Sequence, residues 1–405
     1  MSALAWILVK RGYSITGSDP KNNLSVQKLL TEGVKIFKKQ SAENISTLCN
    51  RHTLSPLIIF SSAIPQSNPE LSAAKQANLD IWHRSDLLAA LIQKQPTITI
   101  AGSHGKTTKS KIVTNLLALA NQDPTAVIGG IVPYFNSNSH SGQGRLLIAE
   151  ADESDGTLVK FKSELGIITN LELDHTDHYL NIDELIKTMK KFGQGCKQLL
   201  VNYDCLTLRS HFKPSFWWSV KTKKNVDFAA LPISMNGQQT IAEVYEQGVN
   251  LGTIKLPMPG MHNLSNCMGA IAACRIEGLS FNQIQKSIRA LESPCRRFDF
   301  RGTWSSRQIV DDYAHHPSEI EATLKIAHLM VKSGCSPLPQ SPTRVLLAFQ
   351  PHRYTRTKKF LNDFAKVLGA ADELLLAPIY GAGETPIEGI NNYVLAQKIK
   401  KIHPK

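Results

Sequence analysis

Short apolar runs, each followed by a polar or glycine-rich turn, recur along the whole chain. Strands are predicted at residues 13–16, 57–60, 146–149, 165–169, 198–201, 308–310, 344–349 and 373–377, and a helix is predicted at 2–11. Runs of this length with helical segments between them are typical of parallel sheets that are covered by helices. The polar turns then lie at the carboxyl ends of the strands, where open sheets of this kind bind ligands. The pattern predicts an α/β protein.

One turn carries more chemistry than the others. Residues 98–108 join a buried-strand pattern to a glycine-rich turn and then to a predicted helix. Gly102 and Gly105 allow backbone N–H groups to approach phosphate oxygens, and the positive end of the helix points at them. Lys106 can reach the outer phosphates, and Thr107 offers a hydroxyl to Mg²⁺. The spacing is shorter than in the standard phosphate loop, so a helix start without a ligand is the alternative.

Length and composition limit the class of protein. The 405 residues suggest two or three domains, and 42% hydrophobic with 20% charged residues is a globular composition. Residues 3–9 have basic residues after them rather than before, the reverse of a secretory signal. No run reaches the ~18 apolar residues of a membrane span. Seven cysteines without a C-x-x-C pair favour reduced thiols in a cytoplasm.

The net charge of +13 admits nucleic acid, an acidic small substrate or a basic surface as explanations. The lysines occur in scattered groups without interleaved aromatic residues, which does not favour nucleic-acid binding. We therefore expect a phosphorylated ligand and no nucleic-acid partner. A short polar linker at 93–96 and the pattern of elements divide the chain into segments 1–96, 97–297 and 298–405, with a loop at 333–342.

Two clusters of ionisable residues follow strands of the middle segment. Residues 150–155 are dense in carboxylates, which suits Mg²⁺ beside a nucleotide, and a solvated acidic loop is the alternative. Residues 174–178 combine two histidines with two aspartates. Zinc would need three or four convergent ligands, whereas these residues share one short turn. A role beside a magnesium nucleotide is therefore favoured over zinc.

Further polar residues stand at the ends of predicted elements. Asn263 begins a helix and could be only its N-cap. Arg353 and Arg356 are predicted to project from a strand end, which suits bidentate bonds to phosphate or carboxylate. Asp19 ends an early strand, where it meets a ribose-type hydroxyl or lies in a surface turn.

The order of these motifs resembles the Mur ligases of bacterial cell-wall synthesis. The motifs that carry this resemblance are, in chain order, the phosphate loop, Glu-Ala-Asp-Glu-Ser-Asp at 150–155, Thr-Asn and Asp-His within 169–175, His-Asn-x-x-Asn at 262–266, Arg-Arg-Phe at 296–298, Asp-Asp-Tyr-x-His-His-Pro at 311–317 and Gln-Pro-His-Arg-Tyr-Thr-Arg at 350–356. The resemblance covers essentially the whole chain. It implies a three-domain architecture: an incomplete Rossmann-like N-terminal domain for a UDP-sugar, a central P-loop ATP-binding domain, and an incomplete Rossmann-like C-terminal domain that closes over the site.

The resemblance implies ATP-dependent ligation of L-alanine to UDP-N-acetylmuramate through an acyl phosphate, with ATP and Mg²⁺ as cofactors. Carried over residue by residue, it implies an ATP site of Gly102, Ser103, His104, Gly105, Lys106, Thr107, Thr108, Asn263, Asn266, Arg297, Asp312 and Tyr313. The implied metal ligands are Thr107, Glu150 and His175. The implied substrate-binding residues are Asp19, Ser61, Ser62, His315, Arg353 and Arg356. The implied catalytic residues are Lys106, His315, Arg353 and Arg356.

Two other functions stay open from the sequence: a murein-peptide recycling ligase, and a nucleotide- or UDP-sugar-binding remnant without ligase activity. The resemblance implies a strand and a glycine-rich turn before Met1 and further elements after Lys405. Three apolar residues of the first helix are therefore expected to lose one packing partner, namely Leu4, Ile7 and Leu8. Lys109 stands where the resemblance implies a threonine, and it is expected to crowd the phosphates or to point to solvent. The oligomeric state is not predicted.

Overall fold

The computed structural model describes residues 1–51, 54–174, 178–291, 298–305, 307–334 and 343–403. Helices and strands alternate along most of these ranges, as the apolar pattern predicts. Among the described residues, no helix is both long enough and apolar enough to cross a membrane. The predicted loop at 333–342 lies for the most part outside the described residues.

The N-terminal segment contains two short pairs of parallel strands, β1 with β2 and β3 with β4. These strands are β1 (Thr16–Ser18), β2 (Lys35–Phe37), β3 (Ile58–Phe60) and β4 (Ile81–His83). The helices are α1 (Ser2–Lys10), α2 (Leu24–Thr31), α3 (Ala42–Arg51), α4 (Pro69–Gln76) and α5 (Arg84–Lys94). The strand predicted at 13–16 begins only at Thr16, because Gly12 has a φ of +84° and Tyr13 N donates to Leu8 O at 3.0 Å. Tyr13 thus belongs to the turn that ends α1.

Helix α1 packs against the central domain. Leu4 and Ile7 are 5% and 0% exposed, and Leu8 is half-buried against the same apolar cluster that contains Leu88 and Leu158. Lys28 of α2 reinforces this contact by donating to Ser137 Oγ at 3.0 Å. Leu4 and Leu8 therefore pack on side chains from beyond residue 80. The expected loss of one packing partner stays a prediction.

The central segment forms one large sheet. Its strands are β5 (Thr97–Ala101), β6 (Thr125–Val132), β7 (Ser137–His140), β8 (Leu147–Glu150), β9 (Leu165–Ile168), β10 (Gln198–Asn202), β11 (Phe216–Ser219), β12 (Phe228–Met235), β13 (Thr240–Glu246) and β14 (Val249–Leu256). Across the described residues they follow the order β14–β13–β12–β11–β10–β9–β5–β8–β6–β7. In this spatial order, the seven neighbouring strands from β12 through β5 to β6 run parallel. β7 extends the sheet at one edge, and β13 and β14 extend it at the other, by antiparallel pairing.

Helices cover both faces of this sheet. They are α6 (Lys106–Leu119), α7 (Ile182–Gln194), α8 (Leu206–His211), α9 (Met261–Ile276) and α10 (Phe281–Ile288), with 3₁₀ turns at Pro133–Phe135 and Thr157–Lys160. Every residue of β5 is buried, and apolar side chains of α6 and α9 pack on one face while those of α5 and α7 pack on the other. Each fully buried aliphatic side chain contributes roughly 1.5–3 kcal/mol, so the middle of the sheet is a rigid support for the loops at its edge.

The C-terminal segment has its own apolar cluster, which includes Leu324, Phe349 and Phe364. Its strands are β15 (Asp299–Trp304), β16 (Arg307–Asp311), β17 (Leu346–Phe349) and β18 (Glu373–Leu376). Its helices are α11 (Pro317–Ser333), α12 (Tyr354–Lys359), α13 (Leu361–Leu368) and α14 (Asn392–Ile402). β15 pairs with β16 antiparallel, and β17 pairs with β18 parallel.

Candidate functional site

Three strand ends meet at one edge of the central sheet. Strand β5 lies between β8 and β9 and is parallel to both, so the loop at residues 102–105 lies between Glu150 and the turn after β9. Gly102 and Gly105 have φ angles of +121° and +80°, which favour glycine. A Cβ on Gly102 would collide with Thr169 Oγ1, and one on Gly105 would lie 2.6 Å from Asn266 Oδ1. The loop therefore needs both glycines.

The turn after β9 holds this loop by its backbone. His104 N donates to Asn170 Oδ1 at 2.9 Å, and Thr169 Oγ1 donates to His104 O at 2.6 Å. Ser103 Oγ donates to Glu172 O at 2.8 Å and accepts from Glu172 N at 3.0 Å. The Thr-Asn motif at 169–170 predicts no role for Asn170. Its position at a strand end beside the loop is the signal that identifies it.

Lys106 begins α6 with its ammonium group folded over the loop. Nζ donates to Gly102 O at 2.7 Å and to Glu153 Oε1 at 2.8 Å. Burial alone would lower the pKa of Lys106, but the charge of Glu153 and the neighbouring carboxylates raise it. Lys106 is therefore a fixed cation at the mouth of the loop. The sequence does not distinguish Glu153, which is 1% exposed, from the other carboxylates of residues 150–155.

Thr107 and Glu150 form a second polar pair beside the loop. Thr107 Oγ1 donates to Glu150 Oε1 at 2.8 Å, and Gly129 N donates to Glu150 Oε2 at 2.9 Å. A hydroxyl and a carboxylate at this point are the hard oxygen donors that Mg²⁺ prefers, with waters completing its shell. His175, the third implied ligand, lies outside the described residues.

Lys109 takes neither of the two expected directions. Its side chain is 1% exposed and runs into the interior, where Nζ donates to Ser265 O at 3.1 Å and to Asn266 O at 3.4 Å. Burial lowers the pKa of Lys109 to about 7. The expectations of crowding at the phosphates and of exposure to solvent are both wrong.

The beginning of α9 faces the phosphate loop. Gly260 is its N-cap, so the N-cap alternative for Asn263 is wrong; Asn263 Nδ2 instead donates to Pro259 O at 2.7 Å. Asn266 lies against Gly105 and is thus brought to the loop. Thr108 is buried in α6, and Arg297 lies outside the described residues.

Arg356 links the C-terminal segment to the central one. It lies in α12 rather than at a strand end, is 6% exposed, and donates from Nε and Nη2 to Asp174 Oδ1 at 3.1 and 2.8 Å. Arg353 precedes α12 with a φ of +70°, and its Nη1 lies 3.7 Å from Glu384 Oε1. The expectation that both project from a strand end is therefore corrected. Strained backbone of this kind clusters at functional sites.

The turn at 311–317 carries three implied site residues, of which His315 lies near Arg356 and Asp174. Asp312 accepts hydrogen bonds from Phe298 N and Ala314 N at 2.8 Å each, and Tyr313 is 49% exposed. His315 Nδ1 lies 2.9 Å from Tyr313 O, so Nδ1 carries the proton and Nε2 the lone pair. Burial lowers the pKa of His315. A neutral imidazole of this tautomer can accept a proton at Nε2.

His104 joins the phosphate loop to the C-terminal segment. Its Nδ1 lies 3.2 Å from Glu319 Oε1 and its Nε2 lies 3.3 Å from Glu172 Oε2. Burial would lower the pKa of His104, but these two carboxylates raise it to about 9; in return, the pKa of Glu172 falls to about 2 although its burial alone would raise it. Ser318 Oγ also donates to Glu172 at 2.7 Å. Sequence patterns give no signal for these contacts, because His104 and Glu172 are distant along the chain and the contacts to Glu319 and Ser318 also cross from the central to the C-terminal segment.

His316 packs on His104, with ring centroids 4.8 Å apart, and burial followed by the charge of His104 lowers its pKa to about 4. Ligand-capable atoms of His104, Glu172 and His316 lie within 4.8 Å of one another. A protonated His104 already balances the carboxylates, so a metal ion would have to displace that proton. The cluster is therefore an ion-pair network in this arrangement.

The implied sugar-binding residues divide between two places. Ser62 Oγ donates to Asp155 Oδ2 at 3.0 Å and lies 3.0 Å from His83 Nε2, which brings it to the acidic segment after β8. Asp19 Oδ1 accepts from Lys21 N at 2.8 Å within its own turn. Ser61, half-buried, precedes Ser62 at the end of β3.

A cleft of about 700 Å³ lies between the central and C-terminal segments. It is lined by residues such as Leu171, Ile182, Phe360 and Val367. Among the described residues, none of those lining the cleft belongs to the implied sites, although Glu172 and His316 of the lining contact Ser103 and His104 of the phosphate loop.

A parallel sheet whose central strand leads into a glycine-rich loop, a lysine and a hydroxyl–carboxylate pair defines a P-loop nucleotide-binding protein. Three family models match this chain: "Mur ligase family, catalytic domain" over residues 1–96, "Mur ligase middle domain" over 100–274, and "Mur ligase, glutamate ligase domain" over 296–404. The chain belongs to the Mur ligase family and is an ATP-dependent ligase with its three-domain fold.

Two similar relatives are UDP-N-acetylmuramate–L-alanine ligases. The one from Prochlorococcus marinus strain MIT 9313 is 64% identical over 404 residues, which cover 100% of this chain and 83% of the relative. The one from Synechococcus sp. strain CC9605 is 59% identical over 405 residues, covering 100% and 86%. Among solved structures, the UDP-N-acetylmuramate–alanine ligase of Thermotoga maritima matches with a TM-score of 0.79, 24% identity, and coverage of 99% and 86%. A murein peptide ligase from Psychrobacter arcticus 273-4 matches with a TM-score of 0.71 and 21% sequence identity, and the match covers 100% of this chain and 86% of that structure.

Proposed function

We propose that this protein uses ATP to join L-alanine to UDP-N-acetylmuramate, releasing ADP and phosphate. The observation that carries the proposal is the docking of the 350–356 motif, through Arg356, beside the phosphate loop of the central domain. The 64% identity to an L-alanine ligase favours this substrate pair. The murein-peptide ligases share the fold at lower identity, and that likeness supports the fold alone.

The reaction needs two successive substitutions. A carboxylate oxygen of UDP-N-acetylmuramate attacks the γ-phosphorus of ATP, and the bond from that phosphorus to ADP breaks. The amine of L-alanine then attacks the acyl carbon, the carbon–oxygen bond to phosphate breaks, and the amine loses a proton. In such transfers the protein acts mainly through charges that are placed in advance.

In this proposal, residues of the central domain bind the phosphates of ATP. Lys106 binds the outer phosphates, exchanging its bonds to Gly102 O and Glu153 for bonds to phosphoryl oxygens. Ser103, His104 and Thr108 belong to the same loop and helix start. Asn263 and Asn266 face the adenine, and Asp312 and Tyr313 meet the nucleotide from the C-terminal domain. Arg297 approaches the phosphates in this proposal.

Mg²⁺ is proposed as the metal cofactor. Thr107 and Glu150 would hold it, because their oxygens lie side by side at the end of β8 next to the phosphate loop. His175 is proposed as a further ligand. When bound, the ion supplies positive charge to the phosphates.

Residues of the C-terminal domain bind the carboxylate groups of the substrates and the amine of L-alanine in this proposal. Arg353 and Arg356 bind carboxylate groups of the sugar acid or alanine, for which Arg356 has to exchange its bonds to Asp174. His315 lies beside them and offers Nε2 to the amine proton. Asp19, Ser61 and Ser62 bind the UDP-sugar from the N-terminal domain.

A cytoplasmic location fits this function. The five cysteines that the structure describes are all free thiols, of which Cys267 and Cys274 are buried. Reduced thiols are the rule in a cytoplasm, where the nucleotide substrates are also available.

The test is a release assay on the full chain with ATP, Mg²⁺ and UDP-N-acetylmuramate. Phosphate release should depend on L-alanine and should not occur with the tripeptide L-alanyl-γ-D-glutamyl-meso-diaminopimelate. Lys106→Ala serves as the inactive control. Release with the tripeptide alone would favour the recycling ligase, and ADP binding without release would favour the remnant.

A further inference from the structure

Lys109 lies one helical turn after Gly105, yet its side chain leaves the phosphate loop. Its backbone N–H donates to Gly105 O at 2.9 Å. Its Nζ contacts the carbonyl oxygens of Ser265 and Asn266 in α9 at 3.1 and 3.4 Å and lies 4.6 Å from the ring centroid of Trp218. One side chain thus connects the first turn of α6 with the first turns of α9 and with strand β11.

Gly269 makes room for this side chain. A Cβ at Gly269 would lie 2.7 Å from Lys109 Nζ and 3.1 Å from Trp218 Cε2. Glycine is among the least favourable residues inside a helix, and here it lies in the buried middle of α9. Lys109 and Gly269 therefore form a matched pair, in which the missing side chain of one provides the space for the other.

Asn266 lies against the start of α6 at two points. Its backbone oxygen accepts from Lys109. Its side-chain Oδ1 lies 2.6 Å from the point that a Cβ on Gly105 would occupy. The phosphate loop and Lys109 therefore both contact the same residue of α9, Asn266.

We propose that Lys109 is a positioning residue for the nucleotide, which sets the separation between the phosphate loop and the first turns of α9. This inference rests on the proposed function, in which Asn263 and Asn266 face the adenine. A nucleotide held at both ends tolerates little error in that separation, because misplacement by about 1 Å can cost on the order of 10²-fold. An amine donates N–H bonds whether it is charged or neutral, so the role does not depend on protonation.

The first test is Lys109→Met, which removes the donors and ends one atom short of Nζ. ADP and GDP affinities are measured by calorimetry on the full chain, with UDP-N-acetylmuramate affinity as the internal control. We expect the preference for ADP over GDP to fall about tenfold, as for loss of a buried hydrogen bond, while the affinity for the UDP-sugar stays unchanged. An unchanged ADP preference would overturn the proposal.

Two further variants separate positioning from packing. Gly269→Ala should reproduce the loss of ADP preference, because its methyl group displaces Nζ while the lysine is still present. The double variant Lys109→Met/Gly269→Ala fills the space that the ammonium group leaves, so it should recover melting temperature without recovering the ADP preference. If the double variant recovers the ADP preference together with the melting temperature, Lys109 only fills space and the proposal is wrong.

Failure of the inference is distinguishable from failure of the proposed function. Calorimetry needs no ligation, so a parent chain that binds ADP tests Lys109 even if it transfers nothing. A parent chain that binds no ADP contradicts the ATP site and the inference with it. A parent that prefers ADP, with a Lys109→Met variant that keeps that preference, contradicts the inference alone.

Discussion

The two sides of the phosphate loop hold their carboxylates by different kinds of pair. On the central-domain side, Lys106 meets Glu153 and Thr107 meets Glu150, and all four residues lie on or beside strands of one sheet. On the C-terminal side, Arg356 meets Asp174 and Glu319 meets His104, so each pair crosses a domain boundary. The first set depends only on the central fold, whereas the second exists only while the domains are in contact. The comparison indicates that nucleotide binding and domain closure can be broken separately.

The largest effect is expected from Lys106→Ala on the central side. The change removes a charge from the phosphoryl-transfer site, and turnover should fall on the order of 10²-fold or more. Circular dichroism should show an intact fold, because the ammonium group supports no apolar packing, although the melting temperature should fall because buried Glu153 loses its ion-pair partner. Lys160→Ala, which breaks the more exposed pair with Asp86, is the control and should cost little. A Lys106 variant with over half the parent rate would reject the loop assignment.

The next effect is expected from Arg356→Ala on the C-terminal side. The change removes one partner of the buried Arg356–Asp174 ion pair, a loss that typically destabilises by about 3–5 kcal/mol. Alanine-dependent ligation should fall steeply while ADP affinity stays nearly unchanged, because no central-domain pair is touched.

The double variant Arg356→Ala/Asp174→Asn is the companion to this experiment. It should recover part of the stability, because the carboxylate charge that faced Arg356 is removed as well, without recovering ligation. Arg353→Ala should weaken ligation with a smaller loss of stability, since the nearest guanidinium nitrogen of Arg353 lies 3.7 Å from Glu384. An ADP affinity that falls as steeply as ligation would place both arginines in the nucleotide site.

The smallest effect is a pH dependence that comes from His104. Its pKa is raised from 6.5 to about 9 in this arrangement, so its stabilisation is fully present below 6.5 and is lost as the pH rises through about 9. The pKa of Glu172 is lowered from 4.5 to about 2, so its contribution is lost only in strong acid. The melting temperature of the parent should therefore decline between pH 6.5 and 9.

His104→Gln is the matched variant for this window. The backbone of residue 104 keeps its bonds to Asn170 and Thr169, so the loop should retain its shape. The difference in melting temperature between parent and variant should be greatest near pH 6 and vanish above about 9. An equal slope in both proteins would assign the pH dependence to other groups.

Much of the fold could be predicted because it rests on local patterns. The runs near 146–149, 165–169 and 198–201 are confirmed as strands β8, β9 and β10 with shifts of a residue or so. The first strand is misplaced, since a helix-ending turn at Gly12 occupies part of the predicted run. The residue roles that the motif order implies, and the domain boundaries at 96 and 297, stay predictions.

The sequence by itself determined the phosphate loop, because strand, glycine turn and helix are set by neighbours within about ten residues of one another. The motif order also determined the family. Only the tertiary structure decided where the long side chains go. Lys109 turns inward because Gly269, far along the chain, leaves space, and Arg356 is buried because Asp174 reaches it from another domain. Such pairings follow from the packing of distant elements, on which local periodicity carries no information.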